Sequence, residues 1–520
     1  MIILRTILFF ATLSIAWLQT PLAQSATYYI SPNGSDSNPG TSEKPWLTFA
    51  YAISSAKAWC GDTLVLKDGT YGDGTRTGKI SLKKVLCTQG NELAITAQNQ
   101  RKAKIVDNGT AVALMIDYST YIIVDGLYLV STNNPSVKTD RGRPSEILRS
   151  NHITLRNNVG KNPNKYANTH IFPVLYSQDI LLEDNEGYDF HRHCTTGYET
   201  ERMVVRRQYC NPRTGGIPGG VASVGQGDAV MSMYPCQDCI LENSIADGPM
   251  YLNEMNATFG RGVLMNGAKV LGSICHACKK GNGIYLNARK TADLDHTPQN
   301  ITIRDVAIVD FNSKSAGVRI SDGVNITLDH ITILGGGSGV TGVSADDTRF
   351  GSTPTTNSVS MTNILIAGMT GDGFRVTNYN TWRGERLFSH GNHTAFQPPL
   401  HSNWTNTSTK DHGLGNCKVW VPSDAAVKGA GMGGSDIGAN ILYRYVDGVL
   451  TKIPLWDPLT GAFPHGEADL DGTNRVTGES LFDVHKRLNV NTNGCQFPRD
   501  YGNGGSDTKE PGSPVGLKVS

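Results

Sequence analysis

The sequence predicts a right-handed parallel β-helix, a solenoid of short strands with a short capping helix at its start and an irregular C-terminal tail. Three observations carry that expectation. A strand phrase often opened by Asn recurs between about Tyr121 and His390, a second strand phrase stands near most copies, and the 520 residues hold 58 Gly with few long helical patterns. The phrase reads Asn151-His152-Ile153-Thr154-Leu155-Arg156-Asn157, then Asp179-Ile180-Leu181-Leu182-Glu183, then Cys239-Ile240-Leu241-Glu242-Asn243. Later copies are Asn300-Ile301-Thr302-Ile303, Asn325-Ile326-Thr327-Leu328 and Asn363-Ile364-Leu365-Ile366. Alternation with period two places the aliphatic residues on one face, which a short strand can bury only against the coil above or below. The partner phrases include Gly283-Ile284-Tyr285-Leu286-Asn287, Gly317-Val318-Arg319-Ile320-Ser321 and Gly373-Phe374-Arg375-Val376-Thr377. A β-propeller would need longer, regular blades joined by antiparallel hairpins, and tight Asn-Gly hairpins in register are few.

The elements follow in chain order. Residues 1–26 read as an export signal, with Arg5 before a short apolar run over 7–17 and small residues at Ala23-Gln24-Ser25-Ala26. Thr12, Ser14, Gln19 and Pro21 interrupt the run, so it falls short of the roughly twenty residues that span a bilayer. The mature chain is expected to be secreted or periplasmic, without membrane insertion. Trp46, Phe49, Ala50 and Ile53 share one face of a helix that would cap the first coil. Residues 27–395 are expected to form the solenoid and 396–520 a cap or tail packed on it, with an independent domain as the weaker alternative, and Leu442 to Leu450 a hairpin turning at Asp447-Gly448. The Asn-Ile-Thr copies are strand entrances rather than glycan acceptors.

An exported chain with ten Cys is expected to form disulfides. Proximity groups Cys60 with Cys87, Cys194 with Cys210, and Cys417 with Cys495. Cys236 and Cys239 group with Cys275 and Cys278, as disulfides or as a four-thiolate zinc site; an oxidising compartment favours disulfides. Lys plus Arg, 47, nearly equals Asp plus Glu, 46, so no long-range field recruits nucleic acid. Any anionic ligand must be held locally, and a monomer is expected.

The opening Tyr28-Tyr29-Ile30-Ser31-Pro32-Asn33-Gly34-Ser35-Asp36, with Gly61-Asp62-Thr63-Leu64-Val65-Leu66 and Asp68-Gly69-Thr70-Tyr71, resembles the start of extracellular pectate-lyase-like β-helix proteins, among them polysaccharide lyase family nine. The resemblance implies the fold, and a lyase that holds calcium with an Asp cluster and uses a strand Lys as base. Glu242-Asn243-Ser244-Ile245-Ala246-Asp247 looks like the calcium element, with Asp247 alone of the cluster, whereas calcium takes about six to eight oxygens. Gly281-Asn282-Gly283-Ile284-Tyr285-Leu286 looks like the base element, with Tyr285 where the Lys would stand.

An eliminating lyase must neutralise a uronate carboxylate and place a base beside the acidified C–H. Arg suits the first task because its planar fork grips a carboxylate. Stacking of the partner phrases would line up such groups: Tyr285 or Lys290 as base, Arg289 and Arg319 as neutralisers, and Arg261, Asn287, Asp322 and Arg375 as substrate contacts. Outward strand positions are ordinarily polar, so each residue alone is also read as solvated surface. Asp346-Asp347 would serve a two-carboxylate hydrolase only within a turn. Asp189-Phe190-His191-Arg192-His193, with Tyr198 and Arg206-Arg207, forms a second constellation, read first as a loop tied by Cys194 and Cys210. The sequence thus points to a polysaccharide-active protein, an acidic-glycan lyase or a non-catalytic glycan-binding β-helix.

Overall fold

The computed structural model describes residues 25–54, 59–72, 78–107, 112–131, 143–161, 170–190, 192–211, 230–248, 250–253, 264–276, 278, 281–287, 298–321, 323–335, 340–345, 358–376, 382–397, 399, 402–463, 484 and 495–502. It is the right-handed parallel β-helix the sequence predicts. Residues 1–24 of the expected export signal lie outside the described residues. Most coils before Thr302 supply three strands, as in Asn151–Arg156 on wall 1, Val159–Lys161 on wall 2 and His170–Leu175 on wall 3, and from Thr302 one longer strand such as Thr302–Phe311 runs through walls 1 and 2. Coil-to-coil pairing is parallel on all three. Walls 1 and 2 join in a 23-stranded sheet, and wall 3 is a 12-stranded sheet.

Stacked inward side chains hold the coils together. On wall 1, Leu64, Ile95, Val124, Leu155, Leu182, Val205, Leu241, Val270, Ile303, Leu328 and Met361 stand in unbroken register. Each is fully buried or nearly so, and burial of such a side chain stabilises by about 1.5–3 kcal/mol.

Turns between walls use residues that tolerate left-handed backbone. Asn157, Asp184, Asn243, Asp305 and Asn363 mark the bend from wall 1 to wall 2, and Asn300 and Asn325 the entrance to wall 1, all with φ between 46° and 57°. Asn363 departs from expectation. It is in register with His330 at the bend, whereas Ser358 occupies the entrance and accepts the Asn325 N–H at 2.6 Å. The two turns ask for the same residue type, so their phrases look alike in sequence. Inside the coils, Asn158 Oδ1 accepts the Leu127 N–H at 2.9 Å and Asn185 Oδ1 accepts the Asn158 N–H at 2.9 Å. This buried amide ladder satisfies backbone groups that no strand partner reaches.

The capping helix is shorter than its sequence pattern. It spans Phe49–Ser54, with Thr48 Oγ1 accepting the Tyr51 N–H at 3.1 Å. Asp36 binds the Leu47 and Thr48 N–H groups and so fixes this start. Trp46 therefore precedes the helix, bridging to Ile30 and stacking on Tyr28 at 4.8 Å. Phe49 and Ala52 face the core while Ala50 is exposed.

Disulfides join Cys60–Cys87, Cys194–Cys210 and Cys417–Cys495 as grouped. The cross-motif grouping is corrected: Cys236 pairs with Cys239, and Cys275 with Cys278. Cys236 stands opposite Thr200 where wall 1 begins, and Cys275 opposite Ile308 on wall 2, so the two motifs occupy different corners of the coil.

Past Trp404 the chain returns along the outside of the solenoid. Val419, Trp420, Ile441, Leu442 and Trp456 cluster with outward residues of wall 2, including Val130, Val159, Tyr188, Ile274 and Val309. Tyr443–Val446 and Val449–Pro454 pair antiparallel around Asp447-Gly448, whose φ values of 51° and 83° suit a tight hairpin. Both turn N–H groups are accepted by the Glu242 carboxylate, at 3.0 and 2.9 Å. Among the described residues, no helix is long and apolar enough to cross a membrane.

Asn158→Ala leaves the buried Leu127 N–H without its acceptor. Denaturant unfolding is expected to show a loss of about 1–3 kcal/mol, against little change for the exposed Asn33→Ala.

Candidate functional site

Alternation on wall 3 sends Ile284, Leu286, Val318, Ile320, Val343 and Phe374 into the core, each with no exposed surface. The residues between them face outward and line up across coils. Tyr285, Arg319, Ser344, Arg375 and Gln397 are successive register partners, and the backbone pairing continues through position 251 to Ser232. Strand spacing of about 4.8 Å makes this a row roughly parallel to the solenoid axis. The structure therefore brings Tyr285, Arg319 and Arg375 together as one outward row. Tyr285 is 5% exposed, and the two Arg are half-buried. Arg375 Nε donates to Asp372 Oδ2 at 2.5 Å, which fixes its guanidinium beside the row.

Arg261, Arg289, Lys290, Asp322, Asp346 and Asp347 lie outside the described residues, as does the side chain of Asn287, whose backbone belongs to the strand Ile284–Asn287. His191 lies outside them too.

Asp247 stands elsewhere, and its surroundings do not fit calcium. Its carboxylate accepts from the Tyr209 hydroxyl at 2.8 Å and meets His276 Nδ1 at 2.6 Å, on wall 2. His276 Nε2 also faces Asp310 at 3.5 Å, and Lys418 of the tail reaches Asp310 at 2.8 Å. Burial pulls the imidazole pKa down, but its hydrogen bonds to Asp247 and Asp310 outweigh this and raise it to about 8. An imidazolium beside Asp247 opposes a divalent cation. Among the described residues, no three His, Cys, Asp or Glu side chains gather as a metal site. Glu242, in the same sequence element, is occupied by the tail hairpin.

The second constellation separates in space. Arg206 and Arg207 pair with Glu183, and Arg207 also with Asp184, at the bend between walls 1 and 2. His193 and Tyr198 belong to the wall 3 strand His193–Tyr198. The His193 and Tyr234 side chains meet with Nε2 to OH at 3.1 Å, and His170 Nδ1 lies 2.9 Å from Thr196 Oγ1. Thr196 is the register partner of Ser232, so this cluster adjoins the outward row. Burial, then the charges of His193, Arg143 and Arg192, hold His170 well below the ordinary imidazole pKa. His170 and Tyr234 were not singled out by sequence; Tyr234 repeats, two residues beyond Ser232, the spacing of Tyr198 beyond Thr196.

Chemically, the row offers a phenol, two guanidiniums and hydroxyls on one rigid sheet, a set that fits an extended carboxylate-bearing ligand.

No family model matches the chain. A 95-residue stretch is 41% identical to Uncharacterized protein YwoF of Bacillus subtilis (strain 168), a match covering 18% of each chain. Among solved structures, pectate lyase Pel9A is similar over 80% of this chain and 96% of its own, at 15% identity and a TM-score of 0.39. The PL6 family alginate lyase AlyGC is similar over 74% of this chain and 53% of its own, at 12% identity and a TM-score of 0.47. A rhamnogalacturonan lyase is similar over 69% of this chain and 86% of its own, at 14% identity and a TM-score of 0.39.

The His276 cluster predicts a pH dependence. A folded pKa of about 8 against the ordinary 6.5 gives stability that is full below pH 6.5 and lost as pH rises through 8. Urea unfolding should lose about 2 kcal/mol between those limits, and His276→Gln should flatten that part of the profile.

Proposed function

We propose that the protein is exported and acts on an acidic polysaccharide laid across wall 3, cleaving it by β-elimination. The observation that carries this reading is the register Tyr285, Arg319, Ser344, Arg375 on one outward row. A polymer lying along the solenoid axis would meet these groups in succession. Arg319 would grip the uronate carboxylate and spread its charge, which acidifies the adjacent C–H. Tyr285, one rung away, would take that proton. The C–H electron pair would form the ring double bond, the C–O bond to the next sugar would break, and the departing oxygen would take up a proton. Arg289 and Lys290 follow that strand phrase in sequence and are proposed to act with Tyr285. The five disulfides fit an oxidising compartment.

A second reading, glycan retention without turnover, is favoured by two features of the row. Tyr285 exposes only 5% of its surface, and Arg375 already has a carboxylate partner.

One assay separates the readings. The purified protein is incubated with polygalacturonate, alginate and glycosaminoglycans, with and without calcium, while absorbance of unsaturated products is followed. The lyase reading expects product from at least one polymer, a fall of about a hundredfold or more in Arg319→Ala, and partial recovery in Arg319→Lys. Binding with no product from any polymer would leave the retention reading; no binding and no product would remove both.

A further inference from the structure

Large side chains stand in left-handed backbone singly at several turns, as at His152, Arg202, Arg207 and His330, but at the turn from wall 3 to wall 1 they do so in five successive coils. Its left-handed position is filled in successive coils by Lys84, Tyr118, Arg149, Tyr176 and Glu199, with φ between 48° and 57°. At the bend between walls 1 and 2 the same backbone conformation falls mostly to Asn, Asp and Gly, including Gly126, Asn157, Asp184, Asn243 and Gly272. Left-handed backbone is uncommon for bulky side chains and costs of order 1–2 kcal/mol relative to Gly. What sets this corner apart is the unbroken run of large side chains on one edge, kept where smaller residues would be more stable.

Those side chains form a continuous strip. The Arg149 guanidinium lies 4.2 Å from the Tyr118 ring centre and donates to the Tyr118 hydroxyl at 3.0 Å. It is also paired with Asp117 at 3.1 Å. Tyr176 meets Tyr198 edge-on at 5.6 Å, and Tyr198 meets Tyr234 at 6.1 Å. Tyr118 is 45% exposed, while Tyr176 and Tyr198 are half-buried. Burial, with Glu199 nearby, holds the Tyr176 and Tyr198 phenols protonated, so both can donate to hydroxyls. At its far end the strip meets the outward row, since Tyr198 and Tyr234 lie two residues beyond Thr196 and Ser232.

We infer that Tyr118, Arg149, Tyr176 and Tyr198 form an extended subsite that stacks on the pyranose rings of a long acidic glycan and guides it onto the row at Tyr285 and Arg319. The inference rests on the acidic-glycan reading and adds the course of the chain, across the coils from the N-terminal end. Aromatic faces suit the apolar faces of sugar rings, and Arg149 suits a carboxylate.

Binding is measured by calorimetry with a length series of oligogalacturonates and oligoalginates, using the whole protein and the variants Tyr118→Asn, Tyr118→Phe and Arg319→Ala. Thermal midpoints are measured alongside. The strip predicts that affinity rises with oligomer length in the wild type. It predicts that Tyr118→Asn weakens binding of the long oligomers about three- to tenfold, leaves the shortest binding oligomer unaffected, and keeps or raises the thermal midpoint. Tyr118→Phe retains the ring and should retain binding. Equal affinity of Tyr118→Asn and wild type at every length overturns the strip, as does a loss in Tyr118→Asn that comes with a lowered midpoint. If the wild type binds and only Arg319→Ala loses affinity, the strip fails and the acidic-glycan reading stands. If the wild type binds no oligomer, that reading fails as well.

Discussion

Everything in this fold depends on one constraint: each coil can bury its aliphatic residues only beneath those of the next. The unbroken wall 1 column from Leu64 to Met361 is that constraint made visible. Because the columns stack in register, a residue's position within its coil fixes which wall it faces and which residue of the next coil it meets. Outward residues are thereby aligned without any interaction of their own. The turns satisfy the same geometry, with left-handed residues at corners and the Asn158–Asn185 ladder carrying buried amides.

The three walls divide the labour. Wall 2 is sealed by the tail through an apolar cluster, by Glu242 holding the hairpin turn and by Lys418 reaching Asp310. Wall 1 carries ion pairs between neighbouring coils, such as Arg156 with Asp125 and Arg202 with Asp179. Wall 3 presents the phenol, guanidiniums and hydroxyls that face outward together. These are the groups that the proposed acidic glycan would meet, and they are continuous with the aromatic corner.

Much of the fold was legible because period-two alternation and Asn-led turns are direct consequences of stacking. The alignment of Tyr285, Arg319 and Arg375 was legible for the same reason. Other features were hidden by coils that vary from 19 residues, between Met231 and Met250, to 36, between Thr195 and Met231. Asn363 was placed at the wrong turn because both turns favour Asn. The Cys-x-x-Cys motifs were grouped across coils because sequence does not reveal that they occupy different corners. Asp247 resembled a metal ligand until His276, a coil away, appeared beside it. The corner strip left only a faint trace, a large residue before Ser or Thr at Tyr118-Ser119, Arg149-Ser150, Tyr176-Ser177 and Glu199-Thr200.

The most direct measurement is a crystal structure of the protein with a bound oligouronate. The account predicts sugar density on the outer face of wall 3, crossing successive coils, with a carboxylate against Arg319 and a ring beside Tyr285. An oligouronate seated on wall 1 or wall 2, or running along a single strand rather than across the coils, would contradict it.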